Sequence, residues 1–117
     1  MRPGFVVRWV FPQADGKLKE RPAVLLSRFG SHGDWLVCGV SSKVWSFDAR
    51  FHVLVEHGHP DLVGSGLSFD AILRADLVDT IPAVAIKDVL GEVSLATVRS
   101  LRTKLIQQLQ LEADLAL

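Results

Sequence analysis

Between Phe5 and Ile81 the chain is cut into short β-branched and aromatic runs, each stopped by a glycine, proline or aspartate cluster. Only after Ser94 does an apolar period of helical length begin. Phe5 to Phe11 reads as a strand closed by Pro12, and Asp15-Gly16 marks a turn within the polar stretch Gln13 to Glu20, expected to be a long hairpin loop. A second strand is expected around Ala23 to Phe29 and a third over Trp35 to Ser41, alternating in and out of a core, with the turn cluster Gly30 to Asp34 between them. Phe51 to Val55 reads as a fourth strand, followed by the loop His57 to Pro60 and the glycine-rich Gly64 to Leu67. Ile72 to Arg74 and Leu77 to Ile81 look like two short final strands. Many short strands with one terminal helix predict a mainly β domain, a small closed or half-closed barrel that hides its sheet edges.

From Ser94, the residues Leu95, Val98, Leu101, Leu105, Ile106 and Leu109 recur at helical spacing, with Arg99, Arg102, Lys104 and Gln108 mostly between them. Ser94 has the hydroxyl to cap this helix, and its apolar stripe reads as ordinary core against the sheet. A shorter helical piece is expected over Val84 to Leu90. The 117 residues fit one domain, 1–117, with enough chain to bury a core without disulfides. The lone Cys38, in the run Trp35 to Cys38, reads as a small buried hydrophobe. No apolar run has the length of a membrane span, and Met1 to Gly4 leads straight into the first strand with no signal peptide, so a cytoplasmic location is expected.

Net charge is zero, with 13 basic and 13 acidic residues, so composition does not advertise nucleic-acid binding. Its distribution is uneven: residues 1–50 carry eight basic and four acidic side chains, and residues 51–117 five and nine. A basic end on a neutral protein favours local phosphate contact with a short footprint over long-range capture.

Read in order, Gly4-x-Val6-Val7, Phe11-Pro12, Arg21-Pro22-Ala23-Val24, Val40-Ser41-Ser42-Lys43, Gly66-Leu67, Leu73-Arg74-Ala75-Asp76, Thr80-Ile81 and Leu90-Gly91 form a series. It resembles the MazF/PemK toxin family over nearly the whole chain up to the C-terminal helix. The resemblance implies an SH3-like barrel that works as a homodimer. It implies a toxin of a type II toxin-antitoxin system, an endoribonuclease cutting single-stranded RNA (mRNA) without metal or other cofactor. A cognate antitoxin, by the same resemblance, lays a flexible tail along the RNA-binding face. Four positions depart from the family pattern: Phe5 stands where an acidic residue is usual, Gly39 replaces a frequent proline, Ser41 a threonine and Ala71 a serine. Ser41 keeps a hydroxyl, whereas Ala71 loses a possible phosphate hydrogen bond.

Cleavage of RNA by its own 2′-hydroxyl needs a base for that proton, a cation for the charge growing on phosphorus, and a route to protonate the leaving 5′-oxygen. Arg74 and Asp76, two apart on an extended strand, share a face and match the Arg-x-Asp pair of some family members. Asp76 is the candidate base and Arg74 the charge stabiliser; the bland alternative is a surface ion pair. Arg21, before Pro22, offers a planar fork for a phosphate, and Ser41 completes the candidate catalytic set. Lys17, Lys19, Ser42, Lys43 and Trp45 are the candidate RNA contacts, against the plain readings of solvated loop charges, a strand end and a core tryptophan. Trp9 and Trp35, on strands, read as core. His57-x-His59 with Asp61 lacks the further spaced ligands of a closed zinc site and reads as loop. Two other functions stay open: a family member that binds RNA or antitoxin with little cleavage, and a non-enzymatic protein-interaction barrel.

Overall fold

The computed structural model describes residues 1–116, with side chains through Leu111. Its strands are β1 (Phe5–Pro12), β2 (Leu18–Phe29), β3 (Asp34–Ser41), β4 (His52–Val55), β5 (Ala71–Ile81) and β6 (Val89–Glu92). The helices are α1 (Pro60–Gly64) and α2 (Leu95–Ala116). All strand pairs are antiparallel, in the order β4-β5-β3-β2-β1-β6, and the sheet curls into a half-barrel. This is the mainly β architecture with a C-terminal helix that the strand pattern predicts.

The centre of the sheet is buried on both faces. Val6, Val24, Leu26, Cys38 and Val40 point into one core, which Val98 and Leu101 of α2 complete. Val7, Ala23, Leu25, Trp35 and Val37 point into a second core with Phe11 and Ile81. The third strand therefore alternates between two cores and not between core and solvent, because β2 and β3 are central strands covered on each side. Cys38 lies in the first core, fully buried as expected.

Four boundaries differ from the sequence expectation. The loop between β1 and β2 is short: Pro12 already pairs with Leu18, and the turn is closed by the Lys17 N–H donating to Asp15 Oδ1, with Gly16 at φ 82°. Leu18 to Arg21 are strand, since partners on β1 satisfy their backbone groups. The two expected final strands are one, β5, interrupted by a wide irregularity: Gly39 pairs with Arg74 but its neighbour Cys38 pairs with Val78. Residues 75–77 thus bulge from the ladder, bending the strand where the Arg74-Asp76 pair sits. Val84 to Leu90 is not a helix: Ala83–Ala85 is a single 3-10 turn, and β6 begins at Val89 by pairing with β1. Pro60 starts the short α1, in what reads as loop.

Helix α2 is fixed at three depths. Ser94 Oγ accepts the Thr97 N–H as the expected cap, and Arg102 donates to the Leu26 carbonyl. Gln108 Nε2 donates to the Ala75 carbonyl at 3.1 Å. Its apolar stripe is only half core. Val98 and Leu101 are buried and Leu105 partly so, whereas Leu95, Ile106, Leu109 and Leu111 are exposed. Among the described residues, no helix is long and apolar enough to cross a membrane.

Candidate anion-binding site

One cleft gathers most of the candidate residues. It has a volume of about 310 Å³ and draws its wall from β2, from the end of β3 and from β5. Lys19 and Arg21 arrive on β2, Val40 to Lys43 at the end of β3, and Arg74 on β5. Four cations thus face one acid, Glu20. Gly39 makes this approach possible: a Cβ there would come within 2.5 Å of Leu77 Cδ2 and 3.4 Å of Arg21 Cδ. The departure from proline at this position therefore has a steric use.

Arg21 is the least satisfied charge in the cleft. Among the described residues it makes no ion pair, and its Nε is buried without a partner. Burial, and after it the charge of Arg74, push its pKa below the ordinary value. A guanidinium still stays protonated in proteins, so an anion between the two arginines is the group that relieves both costs.

Arg74 is held differently. Its Nε donates to Asp76 Oδ1 at 3.0 Å and its Nη2 to Oδ2 at 3.2 Å, a two-pronged pair that leaves both side chains about one-third exposed. Behind Asp76 stands His52, a residue sequence reasoning passed over. His52 Nε2 lies 3.1 Å from Asp76 Oδ1, and its Nδ1 accepts the Asp48 N–H at 3.0 Å. Only its register could have signalled it, since His52 pairs across β4 and β5 with Arg74 itself. Burial pushes the Asp76 carboxyl up, but the Arg74 hydrogen bonds and charge, followed by His52, hold it below its ordinary 3.8.

Ser41 is buried at the cleft wall, where its Oγ accepts the Lys43 N–H at 3.1 Å, a contact that turns the chain and leaves the hydroxyl proton to donate. Ser42 and Lys43 also line the cleft. Lys17, Trp45 and Asp76 do not: Lys17 sits in the β1–β2 turn, Trp45 is 81% exposed on a 3-10 turn, and Asp76 stands behind Arg74. Phe69, which the sequence did not single out, contributes a half-open aromatic wall. Ala71 is fully buried in the first core, so a serine there would face apolar side chains and not a phosphate. Phe5 packs on the second core beneath the Arg2 guanidinium.

The histidine loop has structural employment. His59 Nδ1 accepts the Asp61 N–H, and the Asp61 carboxylate accepts from Ser94 N, Ser94 Oγ and Thr97 Oγ1. Trp9 donates to Asp79, and Trp35 lies under Arg28 in the second core.

The molecule is thus a small antiparallel half-barrel with a terminal helix and a cleft lined by four cations. The profile of the PemK-like, MazF-like toxin family of type II toxin-antitoxin systems matches residues 2–109, and the chain belongs to that family. Two of the solved structures that share its fold are both mycobacterial. One, described as an endoribonuclease in complex with its cognate antitoxin from a mycobacterial species, aligns with a TM-score of 0.65 at 19% identity. The alignment covers 95% of this chain and 96% of that one. The Mycobacterium tuberculosis toxin MazF-mt6 aligns at 0.57 and 20% identity, covering 89% and 92%. No curated protein matches the sequence.

Proposed function

We propose that this protein is the toxin of a toxin-antitoxin pair and cuts single-stranded RNA without metal, leaving a 2′,3′-cyclic phosphate and a 5′-hydroxyl. The observation that carries this is the pairing, in one cleft with Arg74, of a half-buried Arg21 whose Nε is buried and unpartnered and which has no counter-ion among the described residues. Two arginine forks at one phosphate offset the charge that grows in the transition state. The 2′-hydroxyl supplies the nucleophile from within the substrate, so no metal-bound water is needed. Ser41 and Ser42 hold phosphate or ribose oxygens, and Lys19 and Lys43 the neighbouring phosphates. Lys17 and Trp45 stand outside the cleft and serve only a longer strand.

Asp76 remains the base of this proposal through Oδ2, which accepts one long hydrogen bond and keeps a lone pair free. One observation favours a second carboxylate: Glu20 lines the cleft and Asp76 does not, and the ion pair of Glu20 with Arg8 is exposed and 3.6 Å long. Glu20→Gln and Asp76→Asn, compared in one assay, decide between them.

The test is incubation with a long single-stranded RNA in chelator, with the cut ends mapped. Arg74→Ala should lose about 10²–10³-fold in rate, the usual cost of a preorganised donor. Products ending in 5′-phosphate, or full activity in an Arg74→Ala/Arg21→Ala double variant, would contradict the assignment. The exposed Ile106, Leu109 and Leu111, with Phe29 and Val78 beside α2, fit a homodimer interface, which sedimentation at micromolar concentration tests. An acidic antitoxin tail fits the cationic cleft, and such a peptide at saturation should displace RNA.

A further inference from the structure

We infer that His52 is the positioning residue that locks Asp76, and through it the Arg74 fork, in the geometry the cleft needs. The inference rests on the ribonuclease reading for its catalytic consequence but not for its structural content.

A partly exposed arginine-carboxylate pair does not hold itself still, because water competes for every bond in it. Asp76 can swing about its own side-chain torsions and carry the fork with it. His52 removes that freedom. The residue is 6% exposed, and its ring is packed by two aromatic neighbours, Phe47 at 6.3 Å and Phe51 at 6.4 Å between centroids. The Asp48 N–H donates to Nδ1, so Nδ1 carries no proton and Nε2 must be the N–H that donates to Asp76 Oδ1. Asp48 is steadied in turn by Arg50, whose guanidinium spans its carboxylate. The chain of fixed groups therefore runs from the 48–50 turn through a buried ring to the carboxylate and ends at the guanidinium lining the cleft. Both ring nitrogens are satisfied, as burial requires, and the partner of Nε2 is the same carboxylate that holds the Arg74 fork. The arrangement is the one by which a metal-binding histidine is oriented from behind, applied here to an arginine.

The experiment uses full-length protein with ¹⁵N-labelled histidine and arginine, wild type against His52→Gln and His52→Phe. In the wild type, ring nitrogen shifts should report the Nε2–H tautomer, and the Arg74 Nε–H should exchange slowly with water. His52→Phe should speed that exchange about tenfold and lower kcat by roughly tenfold, with KM changed by less than about twofold, since a misaimed fork costs transition-state contact more than binding. His52→Gln, whose amide N–H can reach where Nε2 stands, should restore most of both. A folded His52→Phe protein with wild-type exchange and kcat overturns the proposal, as does a glutamine variant no better than phenylalanine. If His52→Phe fails to fold, an Nδ1–H tautomer or fast Arg74 exchange in the wild type overturns it equally. Should Arg74→Ala leave cleavage untouched, the ribonuclease reading fails instead, and the exchange rates still decide the role of His52.

Discussion

Asp76 is a carboxylate whose surroundings decide its protonation. Partial burial opposes ionisation, and the two bonds from Arg74, followed by its charge and then by His52, outweigh it, so the folded value lies below 3.8. A group whose folded value is depressed stabilises the fold above its unfolded value, and that contribution is lost as pH falls through the folded value. The melting temperature of the wild type should therefore drop more steeply below about pH 4 than that of Asp76→Asn. Parallel melting curves across that range check it; identical slopes would mean that the pair is as loose in the fold as in the unfolded chain. The Cys38 thiol is pushed up to about 12, chiefly by burial and also by the Asp76 charge, against backbone hydrogen bonds that lower it, which leaves it a hydrophobe with no thiolate to react.

At the scale of elements, the start of α2 is anchored by one buried carboxylate. Asp61, from α1, accepts three hydrogen bonds at the start of α2, the shortest from Thr97 Oγ1 at 2.5 Å. Asp61→Ala would leave the Ser94 N–H and the Thr97 hydroxyl without partners and cost about 1–3 kcal/mol, whereas Asp61→Asn should recover part of it. Thermal unfolding measures both, and a loss under about 0.5 kcal/mol for alanine would mean that water replaces the cap. The sequence announced α2 and its serine cap, because helical period and capping are local. It could not announce Asp61, which lies 33 residues away and looks like part of a histidine loop. The hairpin β1–β2 was legible from Asp15-Gly16, but not its length, because the exposed Leu18 and the charged Lys19 to Arg21 are made strand by their partners on β1. The bulge at residues 75–77 left β5 looking like two strands. Likewise, Arg21, Ser41 and Arg74 could be singled out from their motifs, whereas His52 gains its place only from the β4–β5 pairing.

Over the whole molecule, neutrality and a cationic cleft make opposite demands on how the RNA of the proposed function would be met. The two cores fix β2, β3 and β5 so that Lys19, Arg21, Lys43 and Arg74 stand together, while the acidic excess lies in the second half of the chain. Long-range attraction should then be weak and contact electrostatics strong but short. Single strands give a salt slope of about −0.7 per phosphate neutralised, so about three phosphates held by the cleft predict a slope near −2 in log affinity against log salt. Affinity for a short RNA blocked at the 2′-oxygen should fall roughly 20-fold between 50 and 200 mM salt. Arg21→Ala should reduce the slope by about 0.7, since it removes one phosphate partner without an ion pair to release in exchange. Lys17→Ala, outside the cleft, should leave the slope unchanged. Fluorescence anisotropy at four salt concentrations measures all three. A wild-type slope steeper than about −4 would demand phosphate contacts well beyond the cleft, and a flat one would mean that no phosphate lies between the two arginines at all.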